Sequence, residues 1–132
     1  MTLALGRILV VDDDAALRSV VAQALRFEGY TVEEAGNGLE GLDRLRTGPL
    51  PGLVILDLRM PVLDGMGFLV QAQVQLAGIP IVIVSATPEL AKGTGYVGVQ
   101  ALLPKPFDLP LLITLIDRLL TISGERDLQI GS

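Results

Sequence analysis

The sequence predicts an α/β domain in which a parallel sheet carries helices on both faces. Three observations support this expectation. Four short apolar runs, residues 8–11, 53–56, 79–84 and 101–103, are continuous rather than alternating, as strands buried on both faces require. Helical patterns separate the runs, and such alternation is satisfied by right-handed crossovers onto a parallel sheet. The length of 132 residues suits one compact domain.

Each element can be justified in order. After the first run, Leu17, Val20, Val21, Ala24 and Leu25 fall at helical spacing on one stripe. Asp13 or Asp14 can cap that helix and Gly29 can end it. Residues 30–35 (YTVEEA) form a weaker strand, and their two glutamates suit a sheet edge. Asn37 caps a short helix through Arg46, closed by Gly48-Pro49, and Asp64 opens a third through about Gln75. Residues 87–100 (TPELAKGTGYVGVQ) are a poor helix, because Gly93, Gly95 and Gly98 each cost about 1 kcal/mol relative to alanine. The last helix has a strong stripe in Leu109, Leu112, Ile113, Ile116, Leu119 and Leu120. Asp108 is its expected cap, and Pro110 sits in its first turn. Residues after Thr121 read as a tail.

Composition excludes several kinds of chemistry. The sequence has neither cysteine nor histidine, which removes disulfides, thiol nucleophiles and imidazole bases. A net charge of −5 argues against electrostatic binding to a nucleic-acid backbone. Half of the residues are hydrophobic but only 4% aromatic, so the core is aliphatic. No run approaches the ~20 apolar residues that span a bilayer, and the N-terminus lacks the basic region of a secretory signal. A cytoplasmic protein is expected.

The polar residues fall where a parallel sheet would gather them. Asp12, Asp13 and Asp14 follow the first run, Asp57 follows Leu56, Ser85 follows Val84, and Lys105 follows the last run after one proline. In folds of this class ligands bind beyond the carboxyl ends of the strands. Any one of these residues can be merely a cap, a turn former or a solvated lysine. Four together point to a site. Asp12, Asp13 and Asp57 would crowd like charges, for which Mg²⁺ with its hard oxygen ligands is the natural compensation. Lys105 adds a mobile positive charge and Ser85 a hydrogen-bond donor. The set suits phosphoryl transfer, with an aspartate able to act as nucleophile.

With these residues in place, the chain resembles the receiver domain of bacterial two-component response regulators. The resemblance rests on ILVVDDD at 8–14, VILDLRMPVLDG at 54–65, VIVSAT at 82–87 and LLPKPF at 102–107. It implies a flavodoxin-like, doubly wound sheet of five parallel strands in the order 2-1-3-4-5 with five helices, the fourth short or irregular. Residues 1–122 would form the domain and 123–132 the tail. The resemblance further implies Asp57 as phosphoacceptor, with Asp13 and Asp57 as direct Mg²⁺ ligands and Asp12 acting through water. The Arg59 carbonyl would be another ligand. Ser85 and Lys105 would bind phosphoryl oxygens, and Pro106 would follow a cis peptide. Arg59 and Thr87 would tune dephosphorylation.

Two departures fall on the face that usually signals outward. Leu102 stands where this family usually has Tyr or Phe, with Tyr96 as a nearby substitute. The interval from Ser85 to Lys105 is also a residue or two short. The implied partners are a histidine kinase or histidine phosphotransfer protein as donor, and an output protein reached by docking. A homodimer through the fourth helix, fifth strand and last helix is a family expectation. The alternatives are a phosphorylation-independent interaction module and the N-terminal receiver of a longer regulator. An aspartate-nucleophile phosphatase of the haloacid dehalogenase type, suggested by Asp12-x-Asp14, is opposed by Ala15-Ala16 and the short chain.

Overall fold

The computed structural model describes residues 6–87 and 98–131. Strand β1 (Arg7–Val11) leads to helix α1 (Ala15–Phe27), β2 (Thr31–Ala35), α2 (Gly38–Thr47), β3 (Leu53–Leu56) and α3 (Gly65–Gln71). Then come β4 (Ile81–Ser85), β5 (Val99–Pro104) and α4 (Leu109–Gly131). All strand pairs are parallel, in the order β2-β1-β3-β4-β5, as the resemblance implies. Four helices occur among the described residues. The expected fourth helix and Tyr96 fall on residues 88–97, which lie outside the described residues, so the last helix is numbered α4 here.

The sheet separates two apolar layers. On one face Leu42 and Leu45 of α2 and Phe68 and Leu69 of α3 pack over Leu9, Val11, Leu56 and Ile83. On the other, Val21, Ala22 and Leu25 of α1 and Leu112, Ile116 and Leu120 of α4 cover Ile8, Val10, Ile55 and Val84. Every residue of β3 and β4 is buried, which explains why their sequence reads as uninterrupted aliphatic runs.

Helix caps set where the strand ends open. Asp14, Asn37 and Asp64 each accept a hydrogen bond from a main-chain N–H three residues on, as expected of N-caps. Gly29, at φ +102°, ends α1. Edge strand β2 is closed by arginines: Arg26 donates to the Val32 carbonyl at 2.8 Å and Arg44 to the Glu34 carbonyl at 3.2 Å. These bonds occupy carbonyls that an exposed edge would leave free for another strand.

Some details differ from the sequence reading. Val20 is 51% exposed and Ala22 takes its place in the core. Neighbouring positions on a stripe differ by 100° of rotation, and the sheet selects which of them turn inward. Helix α3 ends at Gln71 rather than near Gln75; turns follow, through which Ala72 and Leu76 remain buried. Helix α4 continues to Gly131 through the stretch expected as a tail. Nothing after Pro110 is a strong helix breaker, and a single Gly124 costs only about 1 kcal/mol.

The loop after β3 contains one strained residue. Val62 sits at φ +71°, and Leu63 N–H closes a γ-turn onto the Pro61 carbonyl at 2.8 Å. A β-branched residue in this region is an outlier, at a cost of about 1–2 kcal/mol. The turn is held because the Leu63 carbonyl accepts from Gly38 N–H at 2.8 Å, at the start of α2. Val62 is 76% exposed, so its side chain returns little packing. Val62→Gly is therefore expected to stabilise the domain by about 1 kcal/mol in urea unfolding. A loss of stability would show that the turn is not strained.

Candidate functional site

The site begins with three strands that end side by side. Because β1 and β3 pair in register, Asp12 and Asp57 leave the same edge of the sheet, and Asp57 N–H donates to the Val11 carbonyl at 2.9 Å. Asp13, exposed, completes the group: one carboxylate oxygen from each of Asp12, Asp13 and Asp57 lies within 4.8 Å of the others. Asp12 and Asp57 are each only 6% exposed and Ser85 is fully buried.

Lys105 reaches the same point from β5. Its main-chain N–H donates to the Ser85 carbonyl at 2.9 Å, tying it to the end of β4. Its ammonium then donates to Asp12 Oδ2 at 2.9 Å and to Asp57 Oδ2 at 3.3 Å. The peptide joining Lys105 to Pro106 is cis, as the resemblance implies. Ser85 Oγ accepts from Thr87 N–H at 3.2 Å, and Arg59 N–H approaches Asp57 Oδ1 at 3.4 Å. Sequence reasoning thus located the members, and the fold brings Asp12, Asp13, Asp57 and Lys105 together, with Ser85, Thr87 and Arg59 beside them. Leu102 lies opposite Ile83 in the sheet, half-buried against the core on the α2–α3 face.

One ammonium does not compensate these carboxylates fully. Burial pushes the Asp57 carboxyl above the usual range, the Asp12 charge adds to the rise, and Lys105 only partly opposes it. Burial works against the Lys105 ammonium, yet its bonds to Asp12 and Asp57 outweigh that and raise its proton affinity. Asp12, Asp13 and Asp57 together could hold a metal ion.

Two features escaped the sequence reading. At Gly65, a side chain would place Cβ 2.4 Å from the Asp57 carbonyl oxygen and 2.7 Å from Leu58 Cα. The backbone of α3 approaches the Asp57–Leu58 backbone too closely for any other residue. Arg18, one turn into α1, donates to the Asp12 carbonyl at 2.6 Å and to Glu34 at 3.2 Å. A cation four residues after an N-cap was the available signal.

The comparisons agree with this geometry. The family model described as "Response regulator receiver domain" matches residues 8–117. The chain is 37% identical over 123 residues to the response regulator MprA of Mycobacterium avium (strain 104), covering 92% of this chain and 54% of the relative. It thus spans about half the length of the curated relatives it matches. Among solved structures it is similar to the CheY-like receiver protein of Methanospirillum hungatei JF-1, at 28% identity and TM-score 0.76, covering 91% of this chain and 97% of that one. It is also similar to TrrA of Thermotoga maritima in complex with Mg²⁺-BeF, at 28% identity and TM-score 0.75, with 86% and 97% covered. The chain belongs to the response regulator receiver domain family. No helix among the described residues is long and apolar enough to cross a membrane.

The raised Asp57 proton affinity has a signed consequence. The folded state holds this proton more tightly than the unfolded chain, so its contribution to stability is full at low pH and lost as pH rises past the folded value. Asp57→Asn should raise the melting midpoint by a few degrees at about pH 7, and the gain should shrink as pH falls through the raised folded value and vanish near the ordinary aspartate value of about 4. A pH-independent difference in midpoint between the two proteins would contradict this. Gly65→Ala should cost at least ~2 kcal/mol in urea unfolding, because backbone rather than a movable side chain meets the added carbon.

Proposed function

We propose that the chain accepts a phosphoryl group on Asp57 from a phosphohistidine donor, with Mg²⁺, and signals the change by docking another protein. The single observation that carries this reading is the Lys105 ammonium shared between two buried carboxylates, Asp12 and Asp57, with Asp13 alongside. An all-oxygen donor set of aspartates suits Mg²⁺. Asp13 and Asp57 would hold the ion directly, Asp12 through water, and the Arg59 carbonyl would complete the protein ligands. When bound, Mg²⁺ supplies charge neutralisation at the acceptor. The relative TrrA, solved with Mg²⁺-BeF, supports the choice of ion.

The chain's own residues divide the remaining tasks. An Asp57 carboxylate oxygen forms the new bond to phosphorus as the bond to the donor's imidazole nitrogen breaks. Lys105 moves from its carboxylate partners to a phosphoryl oxygen, and Ser85, whose Oγ accepts from Thr87 N–H, donates its hydroxyl to another. Positioning and charge carry most of such catalysis. These 132 residues contain no histidine, so the phosphohistidine is supplied by a histidine kinase or histidine phosphotransfer protein. The chain acts as a phosphoacceptor signalling domain in the cytoplasm, not as an enzyme that turns over substrate. Arg59 and Thr87, flanking the acceptor, tune the lifetime of the acyl phosphate.

Leu102 favours a second reading. It packs against the core without a ring that could turn, which suits a module whose partner binds regardless of phosphorylation. The half-length match also suits a receiver attached to an output domain, and pairing through β5 and α4 is a further family expectation.

Acetyl phosphate with Mg²⁺ should add one phosphoryl group per chain by intact mass. Asp57→Asn should take none, chelating the metal should stop uptake, and Lys105→Met should slow it at least about tenfold. Uptake by Asp57→Asn would refute the assignment. Equal partner binding by wild type and Asp57→Ala would favour the constitutive module.

A further inference from the structure

Asp12 has every polar atom engaged. Its N–H donates to the Ala35 carbonyl at 3.0 Å, Oδ1 accepts from Asp14 N–H at 2.9 Å and Oδ2 accepts from Lys105 at 2.9 Å. Its carbonyl accepts from Arg18 Nη1 at 2.6 Å. Among the described residues, Arg18 is the one side chain outside the acidic pocket that hydrogen-bonds Asp12.

We propose that Arg18 is a positioning residue for the cation site, acting through the Asp12–Asp13 peptide. This inference rests on the Mg²⁺ reading given above. The Asp12 carbonyl belongs to the rigid peptide plane that joins Asp12 to Asp13. Fixing that carbonyl fixes the torsions on either side of the plane, and with them the directions in which both carboxylates leave the chain. A charge-assisted bond makes the restraint stronger than a neutral one.

The guanidinium is itself restrained. Its Nε donates to Glu34 on β2 at 3.2 Å, and Glu34 also receives Arg26 at 3.4 Å. Arg18 therefore spans α1, the end of β1 and β2 with one planar group that serves two acceptors. Lysine has a single mobile ammonium and cannot reproduce that fork.

Charge and positioning predict opposite signs. As a nearby cation, Arg18 would weaken Mg²⁺ binding, and its removal would tighten it. As a positioning group, it strengthens binding, and its removal weakens it. Groups that orient metal ligands from outside the coordination shell typically matter by about 10–100-fold in affinity.

The test is a calorimetric Mg²⁺ titration of the full chain, with melting in the absence of Mg²⁺ as the check on folding. Arg18→Met should bind Mg²⁺ about tenfold more weakly than wild type, and Arg18→Lys should fall between them. A merely structural role would lower the melting midpoint and leave the affinity of the folded protein unchanged. Unchanged or tighter binding by folded Arg18→Met overturns the inference alone. If Arg18→Met does not fold, Arg18→Lys decides at constant charge: weaker binding supports the proposal and wild-type affinity overturns it. Absence of Mg²⁺ binding by wild type overturns both the underlying Mg²⁺ reading and this inference.

Discussion

Lys105 reaches two buried carboxylates at once, and the arrangement around it follows from that shared charge. An isolated carboxylate at the covered end of a strand would be neutralised by proton uptake rather than tolerated as an ion. Here the ammonium stabilises Asp12 and Asp57 together but cannot cancel both, and Asp13 adds a third negative charge at the rim. Burial first, and the neighbouring Asp12 charge second, raise the Asp57 proton affinity against the opposing pull of Lys105. The three carboxylates beside one ammonium form a group that could hold a metal ion.

The fold holds this imbalance in place from several directions. Strand pairing fixes Asp12 and Asp57 next to each other, since β1 and β3 share a register that ends at Val11 and Leu56. Lys105 is bound to the end of β4 through Ser85, so its side chain starts close to its partners. Gly65 lets α3 approach the Asp57 backbone, and the γ-turn at Val62 links the same loop to the start of α2. Val62 lies in the loop after β3 and Gly65 opens α3, so both fall on the segment that follows Asp57.

Much of this was legible in the sequence because burial on both faces leaves a strong trace. A strand with no solvent-facing side has no reason to alternate, and residues 53–56 announce themselves as β3 with nothing but aliphatic side chains. The glutamates of β2 marked it as an edge for the same reason in reverse. The site was legible because parallel strands bring their carboxyl ends to one side, which groups residues far apart in sequence. What escaped depends on angles that no residue type encodes. Whether Val20 or Ala22 faces the sheet is set by how α1 lies on it, and the reach of Arg18 depends on the same orientation. The extent of α4 was missed because helix propensity beyond Thr121 is modest in either direction.

The charge state of the buried Asp57 is read by carboxyl carbon NMR as a function of pH, with and without Mg²⁺. Without Mg²⁺ the titration midpoint should lie above that of an ordinary aspartate, because burial and Asp12 together outweigh Lys105. With Mg²⁺ the midpoint should fall, since the ion stabilises the ionised form. An ordinary midpoint that Mg²⁺ leaves unmoved would mean that Asp57 is neither destabilised as an ion nor next to a cation site.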